Sequence, residues 1–410
     1  MNNPSLRFTS LNQADWYSTC LSDVVDIVGG GTPSTSQDDY WNGDVQWFTP
    51  SEITQKYVTE SSRTITEEGV NNSSARYLPQ GTILFTSRAS LGLSSINVSP
   101  KKVTTNQGFQ SLIPKEGWLS EFVYYLVNNR KFIQEVENRA SGSTFKEISS
   151  KNLKSITLLV PSDKTEQQKI AAFFTALDEK ITLAEKALAL TERTTKVLLG
   201  KIYKGEFRFK QSNGASFPDW QVRKLDQLLK FQNGINTSKE QFGKGIKLIS
   251  VKEVLSDVPV TYDSIASSVE VDDKEAKRFC VEYGDIVFQR SSETAEEAGS
   301  ANVYLDPRPA VFGGFVIRGK KIADYHPQFL KMALRSKQVR RQIVRLAQGA
   351  QHVNIGQEQL SSVEVQLPCL AEQEKIAELI TNFEHKKSTV LAKLNKLKRL
   401  KQAFMQQMFV

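Results

Sequence analysis

The first residues in this chain that could do chemistry are Gly29-Gly30-Gly31-Thr32-Pro33-Ser34, a turn whose backbone N–H groups could cradle a phosphate. The turn lacks the Lys-Ser/Thr of a P-loop and is not G-x-G-x-x-G, so a tight turn, against which a DNA backbone could lie, is the better reading. Its counterpart Gln232-Asn233-Gly234-Ile235-Asn236-Thr237 keeps the turn without the triple glycine. Thr86-Ser87-Arg88-Ala89-Ser90 and Gln289-Arg290-Ser291-Ser292 each follow an expected strand at the same place in the two halves. Arginine flanked by hydroxyls suits phosphate contact or bidentate reading of guanine. One such loop alone would be read as a surface arginine in polar company, and two at matched places bring the functional reading level with that one. The match is displaced by one position: Ser87, not Arg88, aligns with Arg290.

The other chemical types are sparse. His326, His352 and His385 pair with no cysteine or second histidine at ligand spacing, so no metal site is expected. His352 lies in Gly349–Asn354, opposite Gly142–Glu147, where a loop role and a polar contact to DNA are both open. Cys20, Cys280 and Cys369 are dispersed, which fits a reducing cytoplasm. No Asn-Pro-Pro-aromatic methyltransferase motif, no nuclease Glu-x-Lys near Pro218-Asp219 and no Ser/His/Asp set is present. The residues supply contact chemistry and no catalytic apparatus.

These loops need a frame, and the frame is a repeat. Positions 170, 174, 177, 181, 184, 188, 191, 195, 198 and 202 read Ile, Phe, Leu, Ile, Ala, Leu, Thr, Thr, Leu, Ile. The 3-4-3-4 spacing predicts a long helix packed on another long helix. The stripe recurs 206 residues on as Ile376, Ile380, Phe383, Lys387, Val390, Leu394, Leu397, Lys401, Phe404 and Met408. Each helix would be roughly 55 Å long, and the two most simply pack on each other. The rest of the chain repeats collinearly: Asp15-Trp16 with Asp219-Trp220, Gly81–Phe85 with Gly284–Phe288, Pro161 with Pro368. The sequence is therefore a tandem duplication of an α+β domain followed by a long helix, with pseudo-two-fold symmetry. The expected boundaries are a first domain over 1–165, a long helix over 166–205, a linker over 206–218, a second domain over 219–370 and a second long helix over 371–410. Within the domains, 45–48, 82–86, 110–113, 153–160, 249–251, 286–288 and 311–317 read as strands. Residues 120–129, 131–139 and 329–346 read as helices, and 1–14 as a loose polar leader.

Composition is ordinary for a globular chain, 39% hydrophobic and 24% charged, so two cores are affordable over 410 residues. The net charge of +8 suits a polyanionic partner and equally a solvated surface. There is no apolar run of membrane-spanning length and no signal-peptide pattern.

At this point the motifs resemble one family, the specificity subunits of type I restriction–modification systems. The similar stretches are GGGTPSTSQDDYWNGDVQWFTPSEI (29–53), GTILFTSRASLG (81–92), GSTFKEIS (142–149), PSDKTEQQKIAAFFTALDEKI (161–181) and NGASFPDW (213–220). The second half departs from the pattern in its loops, lacking the Thr-Pro-Ser and an intact Ser-Arg-Ala-Ser. The resemblance implies two target recognition domains held apart by two antiparallel helices forming a coiled coil. Each domain would read one half of a bipartite site on double-stranded DNA. The helices would dock two modification subunits, and restriction subunits would join them. S-adenosylmethionine, ATP and Mg2+ would belong to those partners and none to this chain. The specificity subunit of a type IIB-like enzyme is the alternative.

On this reading the candidate DNA contacts are Thr32, Ser34, Ser87, Arg88, Ser90, Asn106, Gln107 and Lys146 in the first domain. In the second they are Asn236, Thr237, Lys239, Arg290, Ser291, Ser292, Gln351, His352 and Asn354. The helix seam is formed by Ile170, Phe174, Leu177, Ile181, Leu188, Thr191, Leu198 and Ile202 against Ile376, Ile380, Phe383, Lys387, Val390, Leu394, Leu397, Phe404 and Met408. Antiparallel packing makes facing residue numbers total about 578, which sets Thr191 against Lys387 as a polar break and leaves Lys401 to reach water.

Overall fold

The computed structural model describes residues 4–8, 15–88, 90–142, 146–349 and 352–409. The chain divides into two compact units, residues 1–187 with 390–410, and residues 188–389. Each unit therefore contains one domain, part of the helix that follows that domain, and part of the other long helix.

In the first unit a strand at Trp16–Cys20 pairs antiparallel with Thr157–Pro161, so the domain begins and ends side by side. Between them lie a five-stranded sheet and a three-stranded sheet. The larger holds Val25–Gly29, Gln110–Pro114, Ile83–Phe85, Ser94–Asn97 and Tyr57–Val58 in that order; the smaller centres on Trp41–Phe48. Helices Ser120–Val127 and Arg130–Arg139 bury Phe122, Tyr125 and Phe132 against the larger sheet and the long helices. Lys56 joins this core to the first long helix: its Nζ donates to Tyr125 Oη at 2.9 Å and to Thr175 Oγ1 at 2.8 Å. Burial pushes its ammonium down to about 8, with Asp178 opposing that shift.

The second unit repeats the plan. Gln221–Lys224 pairs with Glu364–Leu367. Leu229–Asn233 pairs with Val316–Lys321 as Val25–Gly29 does with Gln110–Pro114. Phe242–Ile249 carries the same register break between Phe242 and Ile246 that Trp41–Phe48 carries between Trp41 and Val45. Both strands then pair parallel with a later one, Phe48 beside Thr105 and Ile249 beside Phe312.

The long helices span Lys164–Tyr203 and Leu370–Met408. The first starts where Asp163 Oδ1 accepts from Thr165 N at 2.7 Å. It stops at Gly205, whose φ of 71° lets Gly205 N reach Ile202 O and Glu206 N reach Lys201 O, a Schellman end. Every seam position of the two stripes is buried or half-buried, while most residues between them are exposed. The helices run antiparallel within each unit. In the first unit Lys401 Nζ meets Asp178 at 2.6 Å and Lys398 Nζ meets Glu185 at 2.7 Å. In the second, Lys387 Nζ meets Glu192 at 2.9 Å. Paired numbers total about 580, close to the expected register. No described helix is long and apolar enough to cross a membrane.

Several expectations change. Thr191 is buried, and the half-buried Lys387 carries its ammonium to the neighbouring Glu192, where the ion pair stays partly solvated. Lys401 likewise finds Asp178 instead of water alone. Residues 153–160 divide into a helical turn, Ser150–Lys154, capped by Ser149, and the strand Thr157–Pro161. Residues 329–346 form two helices, Pro327–Arg335 and Lys337–Leu346, because Ser336 ends one and caps the other through Val339 N. Residues 249–251 straddle the end of one strand and the start of the helix Val251–Val254, and 311–317 form two strands.

The described part of the leader is not loose. Arg7 donates twice to Glu166, from Nε at 3.1 Å and Nη2 at 2.8 Å, and Trp16 Nε1 donates to the same carboxylate at 3.2 Å. Arg208, Trp220 and Glu372 rebuild the arrangement in the second unit at 3.1, 2.7 and 3.1 Å. A carboxylate with no exposed surface at Glu372 is tolerable only with these three donors. Glu372→Ala should therefore destabilise the second unit by about 2–3 kcal/mol, below the usual cost of orphaning a buried charge because the arginine side chain is 25% exposed and can reach water. That corresponds to a thermal shift of about 5–10 °C for a unit of this size. Calorimetry should show the loss in one transition; an unchanged melting profile would refute the assignment.

Candidate nucleic-acid interface

Backbone hydrogen bonds gather four loops at one edge of the first domain. Gly31 N donates to Thr105 O at 2.8 Å, and Ser87 N to Gly108 O at 2.8 Å. Ile148 N donates to Ser87 O at 3.0 Å, and Arg88 and Glu147 form a bridge, as do Ser141 and Glu147. The glycine turn, the strand-end arginine loop, the 105–108 loop and the fourth loop, described at 141–142 and 146–147, thus form one surface. Thr32 Oγ1 bonds Gln107 Oε1, which fixes two candidate contacts against each other. Asn106 Oδ1 is spent on Gly108 N at 2.8 Å. Ser34, Ser90, Gln107 and Lys146 are exposed, and Arg88 is half-buried.

The close packing explains the glycines. A Cβ at Gly30 would lie 2.1 Å from Asn106 O, and one at Gly31 would lie 2.3 Å from Ala75 N. Backbone lies on both sides, so neither clash could be relieved by rotating a side chain.

The second domain assembles the same four loops. Ile235 N donates to Phe312 O at 2.9 Å, Arg290 N to Phe315 O at 2.9 Å, and Ile355 N to Arg290 O at 3.0 Å. Ser291–Ser292 pairs with Val353–Asn354, and Gln348 bridges to Asn354. These bonds place Arg290 where the first domain has Ser87, and Ser291 where it has Arg88, the displacement read from the sequence. Gly142 and Gly349 are matched and hold φ of 109° and 133°. Asn236 lies where Thr32 lies: a Cβ at Gly314 would fall 2.2 Å from Asn236 Oδ1. Asn236, His352 and Asn354 are exposed; Thr237, Arg290 and Ser291 are half-buried.

Two candidates are corrected. Ser87 is fully buried beneath the 108 and 148 backbones, and Ser292 is buried with its Oγ bonded to Thr294 O, so neither hydroxyl faces solvent. A polar residue after a strand is as readily a link between loops as a contact, and spacing alone cannot separate the two. Ser291 Oγ is likewise committed to Asn354 Oδ1. Gln351, the side chain of Lys239 and residues 143–145 lie outside the described residues. The sequence reading missed Arg63, an exposed cation whose guanidinium lies 3.8 Å over the Trp41 ring, next to the glycine turn. Its proximity depends on strand pairing between Trp41–Phe48 and Thr64–Ile65, which no local motif announces. Among the described residues no group of three or more His, Cys, Asp or Glu could hold a metal.

The family model described as the type I restriction modification DNA specificity domain matches residues 13–193 and again 218–401. The MjaIX specificity subunit of Methanocaldococcus jannaschii is 32% identical over 298 residues, covering 69% of this chain and 68% of the relative. The EcoR124I/EcoR124II specificity subunit of Escherichia coli is 30% identical over 169 residues, covering 40% of this chain and 41% of the relative. Among solved structures, a type I S subunit from M. genitalium aligns with a TM-score of 0.62 at 14% identity, over 100% of this chain and 99% of the other. The HsdS subunit from Thermoanaerobacter tengcongensis aligns at 0.50 with 15% identity, over 96% of each chain. At these identities the structural matches speak for the fold alone. The matches favour the type I reading over the type IIB-like one.

Proposed function

Because the chain belongs to the type I restriction modification DNA specificity family, with two specificity domains in tandem, we propose that each four-loop surface reads one half of a bipartite site on double-stranded DNA. The observation that carries this is the duplicated loop assembly. Two scaffolds with matching hydrogen bonds present different side chains: half-buried Thr32 with exposed Ser34, Gln107 and Lys146 in one, and exposed Asn236, His352 and Asn354 in the other. A constant frame with variable polar contacts is what direct readout of two different sequences requires. The long helices set the spacing of the half-sites and dock two modification subunits; restriction subunits complete the complex in the cytoplasm. S-adenosylmethionine, ATP and Mg2+ are bound and used by those partners, and this chain performs no chemistry of its own.

The test is methylation mapping in cells carrying this chain with its modification subunits, with and without the chain. The expected result is a methylated motif of two short blocks around an unspecified gap, lost when the chain is deleted. A single continuous motif, or methylation that persists without the chain, would overturn the proposal.

A further inference from the structure

Two tryptophans of the first domain hold the glycine turn by its carbonyl oxygens. Trp47 Nε1 donates to Gly31 O at 2.8 Å in a buried contact, and Trp41 Nε1 donates to Ser34 O at 3.1 Å. The two indoles pack edge to face with centroids 5.1 Å apart, so neither donor can move alone. Arg63 covers Trp41 from the solvent side at 3.8 Å. Both ends of the segment 31–34 are therefore clamped to one strand. Thr32 and Pro33 lie between the clamps, with Thr32 also tied to Gln107.

The second domain lacks this device. Its matching strand has Phe242 at the place of Trp41 and Leu248 at the place of Trp47, as the shared register break and parallel pairing show. Neither side chain can donate a hydrogen bond. Its turn is held without an indole, through Ile235 paired with Gly313, Gly234 N on Val316 O and, at Ser238, the Gln241 side chain, whose Oε1 accepts from Ser238 N at 2.9 Å.

We infer that Trp41 and Trp47 are positioning residues for specificity in the first half-site: their indole N–H groups fix the carbonyls of Gly31 and Ser34 and thereby aim Thr32 and Ser34 at the base edges. Base discrimination depends on direction, so a turn that can rock keeps its phosphate contacts and loses selectivity. This rests on the reading that the four-loop surface contacts DNA.

Trp47→Phe removes the donor and keeps an aromatic ring. In the complex with modification subunits, binding is measured to the mapped bipartite duplex and to duplexes with each single-base change. Trp47→Phe should lower discrimination at one or more first-half positions by about fivefold or more, the lower range of a good base contact. Second-half discrimination should stay as it was, and the melting temperature should fall by no more than a few degrees, the cost of leaving the buried Gly31 carbonyl without its donor. A uniform loss of affinity for all duplexes would mark the tryptophan as structural and overturn the inference. So would unchanged discrimination in Trp47→Phe while Thr32→Ala alters it. If Thr32→Ala, Gln107→Ala and Trp47→Phe all leave the first half-site unaltered, it is the reading of the surface itself that fails. Should Trp47→Phe melt early, Trp41→Phe, the clamp on Ser34, is read by the same criteria.

Discussion

Replacing residues 17–160 with the matching stretch of another family member should change one half of the recognised site completely and leave the other half as it was. The domain is a cassette in physical terms. Trp16–Cys20 and Thr157–Pro161 are paired along their whole length, so both cuts fall in one two-stranded ribbon and the chain enters and leaves at the same point. Keeping Trp16 preserves its bond to Glu166, and with it the anchor of the domain on the long helix. The incoming stretch must also supply partners for that helix, as Tyr125 does for Phe174 and Asp178, and for the residue after the second long helix, as Phe122 does for Phe409. A donor with polar residues there would fold poorly, so donors should be chosen for aromatic or aliphatic residues at both places. Methylation mapping checks the outcome. Should both halves of the motif change together, the domains are not independent readers.

Adding one heptad to the first long helix alone, within residues 182–195, should abolish bipartite methylation, whereas matched heptads in both helices should lengthen the recognised gap. The seam explains the first result. The insertion moves later seam residues seven positions out of step with their partners, so pairs such as Lys387 with Glu192, or Lys398 with Glu185, cannot form together. The charges themselves are half-exposed and cost little to separate, so the penalty is mainly lost apolar burial around residues such as Ile202, Ile376, Ile380 and Leu394. Matched insertions restore the seam and add about 10.5 Å to each helix at 1.5 Å per residue, close to three base pairs of B-DNA at about 3.4 Å each. Three base pairs also turn the duplex by roughly 100°, given 10–10.5 base pairs per turn, so some loss of affinity should accompany the longer gap. If methylation persists with the original gap, the helices do not set it.

The duplication, the two long helices with their seam and the segments that carry the loops are all legible in the residue pattern. These follow from periodicity, and periodicity is local: a 3-4 spacing forces one face of a helix to be apolar whatever lies elsewhere in the chain. Its failures are equally physical. Lys387 occupies a seam position by number, yet a four-carbon stem lets its charge leave the seam for Glu192, which heptad counting cannot see. Ser87 and Ser292 look like exposed hydroxyls in polar loops, and only the crossing of the 108, 148 and 294 backbones over them puts them inside. The Arg7–Glu166–Trp16 and Arg208–Glu372–Trp220 anchors, and the two indoles beneath the glycine turn, join residues 7 to 164 positions apart. Such contacts are decided by which strands and helices meet. A single residue type in an unremarkable place carries no periodic signal of the partner it will find, so the tertiary structure alone assigned them.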